Sequence, residues 1–293
     1  MKSYRGDDAI NKFMKAMFQE VENCQDIAKN HFNKPLVMSK KDEKNFKKDK
    51  RCWICNKIYK IDDEPVRDHC HITGKYRGSA HSYCNLKLKI SPEKLKIPVV
   101  FHNLRGYDSH FIINDLGELI SEGEELFKTI SIIPNNSEKY MAFYIGKHLS
   151  FIDSYQFMSS SLEKLAENLP KEKFIYTGEY FGKNLKLMKR KGVYPYDYMD
   201  SFEKFNETNF PPKEDFYSIL NDEHIVETDY KHAKKVWDTF DLKNMGEYHD
   251  LYLHTDILLL ADVFENFRKL CLENYGLDPA HYVSSQDYLG MQT

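Results

Sequence analysis

Two short knuckles constrain this chain more than any other feature. They are Cys52-x2-Cys55 and His81-x2-Cys84, with 25 residues between them. A tight loop of this length aims both of its ligands at one point, and Zn²⁺ favours four nitrogen or sulfur donors in a tetrahedron. One ion held by both knuckles forces the intervening residues to fold back as a small closed module. Four of the six cysteines (52, 55, 70 and 84) lie here, together with His69, His71 and His81. Met1 to Asp7 lacks the apolar region of a secretory signal, so the cluster reads as a metal site in a reducing compartment rather than as disulfides. Cys70 is the next candidate ligand, while Cys24 and Cys271 sit in helical apolar patterns and read as packing residues.

With 293 residues the chain can bury a sizeable core in one large or two smaller domains. Its 42 basic and 45 acidic side chains give a net charge of −3, so nucleic acid is not announced by a global basic excess and any contact must be local. The 20 Tyr and 19 Phe read as core first and as base-stacking residues second. No apolar run reaches the length of a membrane span.

Periodicity predicts an amphipathic helix over 7–30. Residues 39–51 form a charged connector that reads as a solvated helix or linker, with a phosphate-binding stripe as the competing reading. From 97 onward the pattern is α/β. A strand over 97–102 is followed by a helix over 108–121 and strands near 127–133, 140–145 and 149–153. Ser160-x-x-Glu163 reads as a capping box. Residues 171–212 read as a long surface excursion, with helices near 213–220 and 229–238. The last helix, 246–274, carries Leu253, Ile257, Leu260, Phe264, Phe267 and Cys271 as one apolar stripe and stops at Gly276.

The strand–turn–helix from Ile97 to Ile112 places Asn103 and Asp108 at the C-terminal end of a strand, a usual location for active groups in an α/β sheet. Tyr252 and Asp256 lie one turn apart on the last helix and share a face. Asp256 is set among Leu and Ile, where burying an unpaired carboxylate is costly.

The stretch Val66-Arg-Asp-His-Cys-His-Ile-Thr-Gly-Lys-Tyr-Arg-Gly78, between the knuckles and with Asn85 behind them, resembles the recombination endonuclease VII family of HNH nucleases over roughly residues 50–90. The resemblance implies structural zinc on Cys52, Cys55, His81 and Cys84. It also implies a catalytic Mg²⁺ or Mn²⁺ on Asp68 and Asn85, His69 as general base and His71 at the scissile phosphate. His81 stands where the family has a cysteine, and Leu88 where it has a further acid. A zinc-stapled element that binds DNA without cutting it is the competing reading.

Asn103 to Asp108, Tyr252 to Asp256, Phe151-Ile-Asp-Ser-Tyr-Gln-Phe-Met and Gly276-Leu-Asp-Pro-Ala-His-Tyr resemble a second family, the protein-primed family B DNA polymerases of Maverick/Polinton-type elements. That resemblance implies a 3′–5′ exonuclease site with Asp108, Tyr252 and Asp256, and contacts from His102, Asn103, Phe111, Ser154 and Tyr155 to a single-stranded 3′ end. It further implies divalent cations and a terminal priming protein as partner. The family's first motif, Asp-x-Glu on an apolar strand, is missing, since Asp62-Asp63-Glu64 sits in a polar loop. The palm aspartates are also missing, so the resemblance implies a fragment that neither extends primers nor degrades 3′ ends. The expected fold class is α/β (α+β): an incomplete RNase H-like exonuclease fold with a small zinc-bound ββα-type module. The expected division is 1–51, 52–92, 97–275 and 276–293.

Overall fold

The computed structural model describes residues 1–31, 34–87, 95–106, 108–121, 129–134 and 140–285. The expected break at Ser91-Pro92 and the substituted position Leu88 lie outside them. The chain is a mixed α/β structure with two small sheets. Among the described residues no helix is long and apolar enough to cross a membrane.

The first helix, α1 (Ala9–His31), buries Met14, Phe18, Val21 and Ala28 along one face. Its partner surface is the larger sheet, where it packs with Leu104, Phe143, Ile145 and Phe151. Of the two readings of the charged connector, helix or linker, the structure has the helix, α2 (Lys40–Lys48), opened by a reciprocal capping box between Ser39 and Asp42. Its cap and its tertiary contacts decide this, because nine residues are too few for a stable free helix. The strands β1 (Pro65–His69) and β2 (Tyr76–His81) form an antiparallel hairpin with a register shift at Asp68/His69, and α3 (Ser82–Lys87) follows directly.

In the larger sheet, β3 (Ile97–Phe101) leads through α4 (Asp108–Ser121) to β4 (Ile130–Pro134), β5 (Tyr140–Ile145) and β6 (Leu149–Asp153). The order is β3-β6-β5-β4, with β3 parallel to β6 and the other pairs antiparallel. All five residues of β6 are buried, whereas β3 is a half-buried edge.

The remaining helices are α5 (Leu162–Glu167), α6 (Ile175–Phe181), α7 (Leu185–Met188), α8 (Glu227–Thr239) and α9 (Met245–Tyr275). Three sequence expectations are corrected here. The cap of α5 is Ser161, whose side chain accepts from the Lys164 amide, so the helix opens one residue later than the Ser160 box proposes. Residues 171–212 are no surface excursion, because Phe181, Met188, Val193, Tyr194 and Phe210 pack with Trp237 and Tyr248 in a core of their own. The expected stripe of α9 holds in part: Phe264 and Cys271 are buried, but Leu253 and Ile257 are 36% and 45% exposed, and Thr255, Leu258, Leu259, Asp262 and Val263 are buried as well. Packing against α5 and α6 selects that face, and the simple apolar stripe does not. Gly276 ends the helix in the left-handed region at φ 69°, as expected.

Candidate functional site

The ligand atoms of Cys52, Cys55, His81 and Cys84 lie within 4.8 Å of one another. Among the described residues this is the only group of three or more His, Cys, Asp or Glu side chains so arranged. The donor set fits tetrahedral zinc. His81 Nδ1 points inward, 3.5 Å from Cys55 Sγ and 3.9 Å from Cys84 Sγ. Its outer Nε2 lies 3.3 Å from Asp63, the carboxylate partner that typically orients a metal-binding imidazole. Burial acts to raise the Cys52 thiol, but backbone N–H groups of Cys55, His81 and Ile54 outweigh it and push it down to about 6, toward the thiolate a metal requires. Asp63 was passed over in the sequence because it lies in a polar loop. Only the fold brings it to His81. Cys70 lies outside the cluster.

The module extends upstream of Cys52. The Val37 amide donates to Gly74 O at 2.7 Å, and the Lys34 amide donates to His71 O at 3.0 Å. Gly74 has φ 76°, and a Cβ there would meet Pro35 O at 2.6 Å, so this strap needs glycine.

The HNH-like residues sit on the hairpin. His69 and His71 face each other with ring centroids 4.5 Å apart, and His69 Nε2 is 3.2 Å from Lys34 O. Asn85 is half-buried on α3. Asp68 is held on several sides. It is 1% exposed and both of its oxygens are taken: Arg77 donates from Nε at 2.7 Å and from NH2 at 2.8 Å, and Trp53 Nε1 donates at 3.0 Å. These bonds tie the first knuckle, through Trp53, to the hairpin.

His102, Asn103, Asp108, Ser154 and Tyr155 lie around the C-terminal ends of β3 and β6, whereas Tyr252 and Asp256 lie on α9. Asn103, in the left-handed region at φ 67°, donates its amide to Asp153 Oδ1 at 2.8 Å. Asp153 is fully buried and also accepts the Tyr155 amide at 3.0 Å. Burial raises the pKa of Asp108, and its own backbone only partly offsets this; the Asp153 charge adds to the rise. His102 bonds Ser154 Oγ at 2.9 Å and Ser160 O at 2.9 Å, and burial lowers its pKa. Ser154 is fully buried and donates to Phe101 O at 2.8 Å, so it holds His102. Tyr155 lies 5.5 Å from the His102 ring, and Phe111 is 51% exposed on α4.

His102 and Asp256 line one cleft of about 560 Å³ between β3 and α9, together with Phe101, Tyr176, Ile257 and Leu260. Burial raises the pKa of Asp256, against the Lys191 charge and hydrogen bonds from Tyr252 and the Gly192 amide. Lys191 also acts on His102. Tyr252 bonds Tyr196 and stacks on Tyr194 at 4.8 Å. A Cβ at Gly192 would meet the Tyr252 ring at 2.5 Å, which is why the chain can close over Asp256 only with glycine there. Lys191 and Gly192 were not singled out in the sequence, where they stand in a basic run without a recognisable period. These carboxylates form no group of three within metal-binding reach among the described residues.

Charge distribution supplies a signal that the whole-chain total hides. Residues 28–98 hold 18 of the 42 basic side chains and 8 of the 45 acidic ones, leaving 24 basic against 37 acidic elsewhere. A strongly basic module on an acidic body is the electrostatic footprint of a polyanion partner.

The family model of recombination endonuclease VII matches residues 28–98. No curated protein and no solved structure matches the chain. The match lends no support to a DNA polymerase. Its span takes in the strap, α2, the hairpin and all four Cys/His ligands, so residues 28–98 are an endonuclease VII-like domain, of a nuclease family that acts on DNA.

Proposed function

We propose that this protein works on DNA and that residues 28–98 are its DNA-engaging module, stapled by one zinc ion on Cys52, Cys55, His81 and Cys84. The observation that carries the reading is the coincidence of the endonuclease VII match with the gathered four-ligand cluster on the same residues. The excess of basic side chains in that span supports the polyanion partner. Zinc here supplies folding energy and shape. The facing His69 and His71 supply imidazoles suited to deprotonating water and to contacting a phosphate, which favours phosphodiester hydrolysis as the reaction class. Asp68 is committed to Arg77 and Trp53, so the arrangement supports gripping DNA more directly than cutting it.

The test pairs binding with nicking. Wild type and His69→Ala are compared on linear and branched duplexes with Mg²⁺. Cleavage lost in the variant with binding kept supports a nuclease. Binding without cleavage in either protein supports a zinc-stapled binding element. Absence of both sinks the reading.

A second reading concerns the body from 97 to 275, and the cleft shared by His102 and Asp256 favours it. There the single-stranded 3′ end of a family B polymerase-like protein would lie against His102, Asn103, Phe111 and Tyr155, with Asp108, Tyr252 and Asp256 as the exonuclease-like residues and a priming protein as partner. Stacking needs no metal, so binding without 3′ shortening is expected of this chain. Shortening of a labelled single strand that is abolished by Asp108→Ala would overturn that expectation.

A further inference from the structure

We infer that α2 is the phosphate-gripping face of the module and meets the backbone of double-stranded DNA. This rests on the DNA-engaging reading above and names the element that makes the contact. At 100° per residue, Lys40, Lys41, Lys44, Lys47 and Lys48 fall within one arc of about 120°. All five are exposed. The other side of the helix holds the half-buried Asp42, Glu43 and Phe46, and each has a partner inside the protein. Asp42 closes the capping box with Ser39. Glu43 takes Arg67 at 3.5 Å, the Arg67 guanidinium lies 4.2 Å over the Phe46 ring, and Phe46 meets Tyr76 edge-on at 6.5 Å.

Both acids of α2 are thus turned from the lysine arc. Among the described residues no salt bridge joins any of the five lysines to an acid. Lys40/Lys44 and Lys44/Lys48 are like charges one turn apart, which repel. A cap and an aromatic anchor hold this self-repelling face in place, and a polyanion is the ligand that relieves it. From Lys40 to Lys48 the helix runs about 12 Å. Over that length a duplex presents about seven phosphate charges, enough for every lysine.

The experiment measures duplex affinity against salt for the full chain, using a labelled duplex of random sequence. The quintuple variant K40Q/K41Q/K44Q/K47Q/K48Q should keep its zinc and its helicity, since Gln is a good helix former. Each phosphate contact contributes about 0.9 to the log–log slope, so the variant's slope should be shallower by about 4.5. Wild type should then lose about 500-fold more affinity than the variant over a fourfold rise in salt. K44Q/K47Q, the fallback where the quintuple variant loses zinc, should lower the slope by about 2. Lys231, Lys234 and Lys235 on α8 make a second lysine surface, and their Gln variants should keep the wild-type slope. A wild-type slope in the α2 variants, with wild type binding DNA, overturns the inference and leaves the DNA-engaging reading standing. A wild type that binds no duplex at any salt overturns that reading itself.

Discussion

Replacing Arg77 with Met should unlock the module by orphaning Asp68. The carboxylate is 1% exposed and has three donors, two from Arg77 and one from Trp53. Met keeps much of the apolar stem and removes both charged bonds, leaving a buried anion with one neutral donor. Orphaning a fully buried charge costs about 3–5 kcal/mol. The Arg77 side chain is 30% exposed, so solvent already screens part of the pair, and the lower end, about 3 kcal/mol, is expected. That is roughly a hundredfold in the unfolding equilibrium. Urea denaturation followed through Trp53 fluorescence, in a Trp237→Phe background, reads the module directly because the chain has two tryptophans. Asp68→Asn added to Arg77→Met should restore most of the loss, since the neutral amide needs no cation. A loss below about 1 kcal/mol, or strictly additive substitutions, would show that the pair does not hold the hairpin. Mg²⁺ that raises the stability of Arg77→Met but not of wild type would show that Asp68 can serve a divalent cation once Arg77 is gone.

Three further outcomes are expected. Purified protein should carry about one equivalent of zinc, lost in Cys52→Ala with unfolding of the module, because such sites contribute on the order of 10–16 kcal/mol at neutral pH; unchanged zinc content would rule out this ligand set. Asp262, buried on α9, accepts the amides of Ile175, Tyr176 and Thr177 at 2.8–3.0 Å, so Asp262→Ala should cost about 3–5 kcal/mol in urea melts by leaving the start of α6 uncapped, and a cost under 1 kcal/mol would refute the role. Burial raises the pKa of Asp256 in the folded protein, and among the described residues Oδ1 has no partner, so the folded state binds more protons than the unfolded one as pH rises past the ordinary carboxylate range, and the charged form costs stability from there to neutrality. Asp256→Asn should therefore raise the melting temperature at neutral pH, with the gain fading as the pH falls toward about 4, and a gain that grows in acid would reverse the argument.

By itself the sequence determined the local features of this protein. Paired knuckles close on one ion because a two-residue loop has little freedom, and Cys52, Cys55, His81 and Cys84 were legible for that reason. The helix 245–275 is legible within a few residues because burial on one face writes its period into the chain, and the strands 97–101 and 149–153 because each is a short apolar run bounded by breaks. Tertiary structure decided what depends on partners far away in sequence. Asp68 gains its salt bridge only because β2 brings Arg77 beside it and the first knuckle brings Trp53. The lysines of α2 read as a solvated helix, a linker or a phosphate-binding stripe until Phe46 finds Tyr76 and orients them. Asp63 gains meaning only from His81, and Lys191 only from Asp256 and His102. Hydrogen bonds and ion pairs across long sequence separations leave no periodic trace, so a single chain cannot announce them before it folds.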